Sequence, residues 1–318
     1  MQGYILRRLA QMVPVFLLAV ILNFVLINMA PGDPAVVLAG EHAPLEYIEE
    51  LRASYGLSEP LPTRLWAYLS ALARGDLGYS FAFRRPVMNV ILERVQATLL
   101  LVVASQFFSI VGGTMLGAIA AWRERRFTDR VISYGTLLLY CMPVFWTGLM
   151  LILIFAVKLK WLPSSGMYSF LAFDIPRWLD VSRHLILPAS CLFLYTLPIY
   201  TRLTRSTVLE IAQEDYVTTA RAIGFPEWVV YLKHALRNAL LPTVSVAGLS
   251  LSSLLTGSLL VETVFAWPGL GRLVYEAVGN RDFPVLMGGF LVATVIVIIG
   301  SLITDIVYTM LDPRVSYT

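Results

Sequence analysis

The chain has 318 residues, of which 58% are hydrophobic and only 14% charged, with a formal net charge of +3. Soluble domains carry roughly 25% charged residues, so this composition excludes a water-soluble globule and indicates an integral membrane protein. Cys141 and Cys191 both fall in apolar stretches and the three histidines show no ligand spacing, which argues against a disulfide framework and a metal site.

Apolar runs of about 20 residues, enough to cross a hydrocarbon core of about 30 Å, occur at Leu9–Met29, Thr98–Trp122, Val131–Val157, His184–Leu203, Ala239–Leu260 and Pro284–Met310. The expected architecture is therefore an all-α membrane protein of six spans, with both termini on one side. Arg7 and Arg8 before the first run match the start of a secretory signal. That run is longer than a typical apolar signal core of about 7–15 residues, and MAPGDPA offers no small-x-small cleavage site, so residues 1–30 are expected to stay as a membrane helix.

Pro31, Gly32 and Pro34 end the first span and lead into an external region, residues 31–96. Its text suits helices at Pro44–Tyr55 and Pro62–Arg74, a turn at Gly56, and a glycine-punctuated GDLGYS at Gly75–Ser80. A segment of this size builds a small cap, serving either as a lid on the helices or as a platform for an extracytoplasmic partner.

Residues 97–318 form the expected five-helix core. Gly112, Gly113 and Gly117 in the second span permit close helix approach. Pro143 kinks the third span, and Pro188 and Pro198 the fourth. Ser245, Ser252, Ser253 and Thr256 give the fifth span a hydroxyl face, suited to a polar solute passing in water or to interhelical hydrogen bonds. Asp305 is the one acid read as lying deep in an apolar run, where it needs a partner such as Arg7, Arg8, Arg202 or Arg205, or else relays protons. The last external segment, VETVFAWPGLGRLVYEAVGNRDFP, is broken at Trp267, Pro268, Gly269 and Gly271 and reads as a re-entrant or interfacial element.

Basic residues set the orientation. Arg7, Arg8, a cluster at Arg123, Arg125, Arg126 and Arg130, and Arg202, Arg205, Arg221, Lys233, Arg237 and Arg314 crowd short segments on one side, which places both termini in the cytoplasm.

The fourth and fifth spans are joined by an unusually long, charged, helix-prone block, residues 207–242. Tyr216, Val217, Ala220 and Ile223 recur at helical spacing beside Glu214, Asp215, Thr218, Thr219 and Arg221. Gly224 suits a left-handed turn and Pro226 the start of a second helix. Two short helices at a glycine corner fit a groove on a soluble partner; they can equally lie flat on lipid headgroups.

The order EDYVTTARAIG, then HALRNALLP, resembles the cytoplasmic EAA loop in permease subunits of ATP-binding-cassette importers, and the dipeptide, oligopeptide and nickel permease family most closely. ILRRLAQMVPVF, APGDPA, GDLGYS, VETVFAWPGLGRLVYEAVGNRDFPV and LDPR extend the likeness over essentially the whole chain. The resemblance implies that the loop couples to an ATPase. Thr218, Thr219 and Ala220 stand where the general pattern has Glu-Ala-Ala, Gly224 matches its glycine, and Arg237 falls where many permeases have proline. Asp215, Tyr216, Ala220, Arg221 and His234 join these as expected coupling-loop residues, and Trp267, Pro268 and Gly269 as expected contacts of a binding protein. The implied partners are a second, related permease chain, two ATP-binding subunits, an extracytoplasmic solute-binding protein and membrane lipid, with no nucleic acid. The implied setting is a bacterial inner membrane. ATP and magnesium are expected on the partner subunits, because no GxxxxGK[ST] occurs here and the chain is read as having no cofactor or enzymatic activity of its own. A proton-coupled secondary transporter is the alternative; it calls for several intramembrane acids and inverted repeats. An intramembrane hydrolase fits less well, since His184 and His234 stand only at the edges of spans four and five and none lies in a span's interior to act as base.

Overall fold

The computed structural model describes residues 2–29, 34–40, 43–54, 56–169 and 175–311. The chain is built from helices and divides into two compact units, one of residues 1–98 and 268–298, the other of residues 99–267 and 299–318.

The first unit contains α1 (Gln2–Met29), α2 (Pro34–Ala39), α3 (Leu45–Ser54), α4 (Leu61–Ala73), a hairpin of β1 (Tyr79–Ser80) and β2 (Arg85–Pro86), and the start of α5 (Val87–Trp122). To these the chain returns with α13 (Leu270–Gly279) and the first part of α14 (Phe283–Leu311). α3 and α4 lie where the local text predicts helices, with Gly56 at a φ of +63° between them. Val87, Ile91, Leu273, Ala277 and Val285 form the core. One buried carboxylate ties the hairpin to α14. Asp282 accepts hydrogen bonds from Ser80 Oγ at 2.6 Å and the Ala82 amide at 3.0 Å, and caps α14 through the Val285 amide at 3.3 Å. A side-chain oxygen here satisfies amides that a helix start leaves without intrahelical partners.

The second unit holds the rest of α5, then α6 (Phe127–Cys141), α7 (Val144–Leu151) running on as a π-helical turn over Ile152–Lys158, and α8 (Arg177–Ile211). α9 (Asp215–Ala222) and α10 (Glu227–Val229) follow, with a second π-helical stretch at Val230–Leu236 leading into α11 (Arg237–Gly257) and α12 (Leu259–Val264). α5 and α8 pack backbone to backbone at the predicted glycines. A Cβ on Gly113 would lie 2.5 Å from Tyr200 Cβ, and one on Gly117 2.6 Å from the Thr201 carbonyl oxygen.

Among the described residues, four helices are long and apolar enough to cross a membrane: Ala10–Met29, Val87–Trp122, Arg177–Ile211 and Phe283–Ile306. The expected third span is not one kinked helix. α6 and α7 meet at a bend of 101° and make a fifth candidate only if taken as one broken span. Met142 is extended, with φ −78° and ψ 129°, because the ring of Pro143 disfavours a helical residue before it. α11 occupies the place of the expected fifth span with 21 residues. α8, by contrast, continues through Pro188 and Pro198 for 35 residues.

Candidate functional site

The charged block turns where Gly224 and Pro226 predict a corner. Glu214 is the N-cap of α9, Gly224 turns the corner at a φ of +95°, and Pro226 is the N-cap of α10. A Cβ on Gly224 would meet no atom within 4 Å, so the backbone conformation, rather than space, selects glycine.

A small core holds the two helices together. Val217, Ala220 and Val230 are buried against one another, with Ile211 packed beside them. Tyr216 donates a hydrogen bond to the His234 carbonyl at 3.3 Å and accepts one from Asn238 Nδ2 at 2.8 Å. Arg221 bridges to Glu227 at 3.2 Å and donates to the Ala212 carbonyl at 3.2 Å, closing the corner from outside.

The π-helical stretch is anchored to α5. Tyr231 donates to the Ala118 carbonyl at 2.5 Å, and its ring meets Trp122 edge-on at 4.7 Å between centroids. Burial pushes the Tyr231 phenol up to about 12, so it stays a neutral donor at physiological pH. A second anchor lies between α6 and α8. Arg205 grips Asp129 through two bonds of 2.6 and 2.7 Å, and Asp129 also accepts from the Arg125 amide at 2.9 Å. Arg205 is thus committed to Asp129, and the expected Asp305–Arg205 pair is not formed. Arg7 and Arg8 have side chains outside the described set.

The expected apolar stripe is split in two. Val217 and Ala220 point inward, whereas Ile223 is 71% exposed and Tyr216 43%. Ala220, 5% exposed, packs inside the loop against Val217 and Val230. Asp215, Thr218, Thr219, Arg221, Gly224 and Arg237 lie exposed, with Thr219 Oγ1 donating to the Asp215 carbonyl at 2.8 Å. Sequence reading passed over Phe225 and Trp228, which with Ile223 form an exposed apolar patch around the glycine corner. Large apolar residues flanking a left-handed glycine were the available signal. His234 turns its ring toward Phe225 at 5.7 Å, and its buried Nε2 has no hydrogen-bond partner among the described residues.

The other expected sites fare differently. Trp267 is fully buried, at 0% exposure, and Gly269 is buried as the N-cap of α13, so neither offers a surface to a binding protein; Pro268 is half-buried. Ser245 donates to the Leu241 carbonyl of its own helix at 3.5 Å. The side chains of Ser252, Ser253 and Thr256 lie outside the described set. Asp305 is half-buried, whereas Glu262 is fully buried and accepts from Ser258 Oγ at 3.0 Å.

Residues 113–317 match the family described as binding-protein-dependent transport system inner membrane component, and residues 1–102 match the N-terminal region of such membrane components. The chain is 37% identical to the dipeptide transport system permease protein DppB of Escherichia coli over 337 residues, covering 100% of this chain and 99% of that one. It is 39% identical to the di/tripeptide transport system permease protein DppB of Pseudomonas aeruginosa over 336 residues, with 100% and 99% covered. It is 36% identical to the dipeptide transport system permease protein DppB of Alkalihalophilus pseudofirmus over 333 residues, with 100% of both covered. Among solved structures, a chain of the MetNI methionine ABC transporter in an inward-facing conformation superposes with a TM-score of 0.57 at 21% identity, covering 71% of this chain and 97% of that chain, a likeness of fold. The protein accordingly belongs to the binding-protein-dependent transport system inner membrane component family, as a multi-pass permease subunit of an ABC transporter.

Proposed function

We propose that this permease forms half of the translocation pathway of an ATP-driven importer for peptides, and that residues 207–242 couple it to the ATPase. The exposed patch of Ile223, Phe225 and Trp228, carried on a corner rigidly tied to α5, is the observation that supports this reading most directly. Apolar side chains held out into water fit a cleft on a soluble subunit, and Asp215, Thr218, Thr219 and Arg221 give that contact a polar rim. Because Tyr231 fastens the loop to α5, a push on the corner moves a membrane helix as a lever does, and this suits rigid-body rocking of the spans.

In this reading two ATP-binding subunits hold ATP and magnesium, and this chain contributes no nucleotide site. A second, related permease chain completes the pathway. A solute-binding protein delivers the cargo to the external side, where residues 31–96 form a cap, and both termini face the cytoplasm. Peptides are favoured as cargo because the full-length relatives carry dipeptide and di/tripeptide transport names. A proton-coupled transporter would not need an exposed apolar corner.

The test uses Gly224→Val. A β-branched residue at this positive φ costs roughly 1–2 kcal/mol and displaces the corner. The variant is expected to reach the membrane at normal levels while peptide uptake and permease-stimulated ATP hydrolysis both fall at least tenfold. Normal uptake would overturn the coupling role.

A further inference from the structure

The break between α6 and α7 lies at a depth where irregular backbone needs an explanation. At about 1.5 Å per residue, Cys141, Gln106, Thr196 and Ser250 each lie about 20–24 Å along their helices from the helix ends near the Arg123–Arg130 link and the 207–242 loop. That distance falls within a hydrocarbon core of about 30 Å, where non-helical backbone is tolerated only if buried in protein or lining a water-filled cavity. A cavity is present at this point. It has a volume of about 480 Å³, and Tyr140, Cys141, Pro143, Tyr195, Thr196 and Ser250 are among the residues of its wall. That size lies within the range of about 300–1,000 Å³ typical of ligand pockets.

Among the described residues, the wall carries hydrogen-bonding groups and no Asp, Glu, Lys or Arg. Tyr140, Cys141 and Tyr195 are exposed to it or beside it. Behind the wall, neutral groups form a network across α5, α8 and α11. Thr196 Oγ1 lies 2.6 Å from Ser109 Oγ, and the Ser250 hydroxyl shares a hydrogen bond with the Tyr200 phenol. Gln106 Nε2 reaches Tyr200 Oη at 2.5 Å and the Ala247 carbonyl at 3.3 Å. Gln106 is 4% exposed, and its Oε1 has no partner among the described residues. A buried amide oxygen left without a donor is costly, by about 1–3 kcal/mol, unless water or a solute supplies one.

We propose that this cavity is a stretch of the translocation pathway in which the main chain of a passing peptide is handled by neutral hydrogen-bonding groups, so that the permease is blind to side-chain charge. The proposal rests on the importer reading and adds the place and the chemistry of contact. The Ser250 hydroxyl and the tyrosines exchange hydrogen bonds with peptide amides, the Thr196 hydroxyl, whose proton is held by Ser109 or Leu192, serves as an acceptor, and no fixed charge among the described wall residues selects against an acidic or a basic side chain.

Cys141 provides the test, with buried Cys191 as an internal control. The assembled transporter in proteoliposomes is treated with a charged, membrane-impermeant methanethiosulfonate and, separately, with a lipid-soluble maleimide. Cys141 is expected to react with the charged reagent at least tenfold faster than Cys191. Tri-alanine is expected to slow that reaction several-fold, and labelling is expected to block tri-alanine uptake. Reaction only with the lipid-soluble maleimide would put the break against lipid and overturn the proposal. Labelling that tri-alanine neither slows nor follows with a block in uptake would make the cavity a water cleft off the path, which also overturns it. Uptake by the unlabelled complex tests the importer reading by itself, so the two failures are distinguishable. As a second arm, Thr196→Val is expected to lower uptake of tripeptides with Ala, Lys or Glu at the centre by the same factor, within about twofold; a change confined to one charge class would refute neutral handling.

Discussion

The exposed corner permits a quantitative test, because Ile223 contributes almost nothing to the fold of its own chain and is 71% exposed. If a partner covers it, on the order of 100 Å² of apolar surface leaves water, worth about 2.5 kcal/mol at about 25 cal/mol per Å². Ile223→Ala removes most of that area, about 2 kcal/mol, which corresponds to an approximately 30-fold weaker Kd. Trp228, 62% exposed and larger, is expected to lose at least as much on truncation, as aromatic anchors do at protein interfaces. The assay is a binding titration of the purified ATP-binding subunits against the permease in nanodiscs, with ATP hydrolysis followed in the same samples. Thermal unfolding of the permease alone is expected to be unchanged in Ile223→Ala, since that side chain is mostly exposed. A Kd within twofold of wild type for both would refute the assignment of this patch as the docking surface.

Two further outcomes follow from the packing. Asp282→Ala removes the acceptor for Ser80, Ala82 and Val285 and leaves buried donors unsatisfied, so a loss of about 3–5 kcal/mol is expected, read as a lower unfolding temperature and faster tryptic cutting after Arg84; Asp282→Asn, which keeps one acceptor, is expected to fall between, and unchanged melting would refute the linkage. The Tyr231 phenol is raised by burial to about 12, above the value of about 10 for an unfolded tyrosine, so its contribution to stability is complete below pH about 10 and is lost as pH rises through about 12. An absorbance titration is expected to show a late-ionising tyrosine that Tyr231→Phe removes; ionisation near 10 would refute its burial.

Local signals in the sequence were enough to place the glycine corner of the loop and the start of its second helix, since Gly224 and Pro226 act within a few residues of themselves. Spacing also identified Gly113 and Gly117 as close-approach positions. Which side of α9 faces inward was not legible, because the apolar neighbours that decide it, Val230 and Ile211, come from flanking segments. Asp129 and Arg205 are 76 residues apart, and no periodicity connects them. Pro143 announces an interruption but carries no angle, so a kink was expected where the chain bends by 101°. Trp267, flanked by breakers, read as a surface residue; tertiary packing buries it.

The bond between Ser80 and Asp282 spans 202 residues of chain. At synthesis rates of about 5–20 residues per second, the hairpin must wait roughly 10–40 s after its own emergence before its carboxylate partner is made. Biogenesis of the first unit is thus timed by the arrival of α14, and until then GDLGYS and its neighbours stand without the acceptor that fixes them. A chaperone or protease has that interval in which to act, and a ribosome stalled before residue 282 leaves the unit open for as long as it pauses.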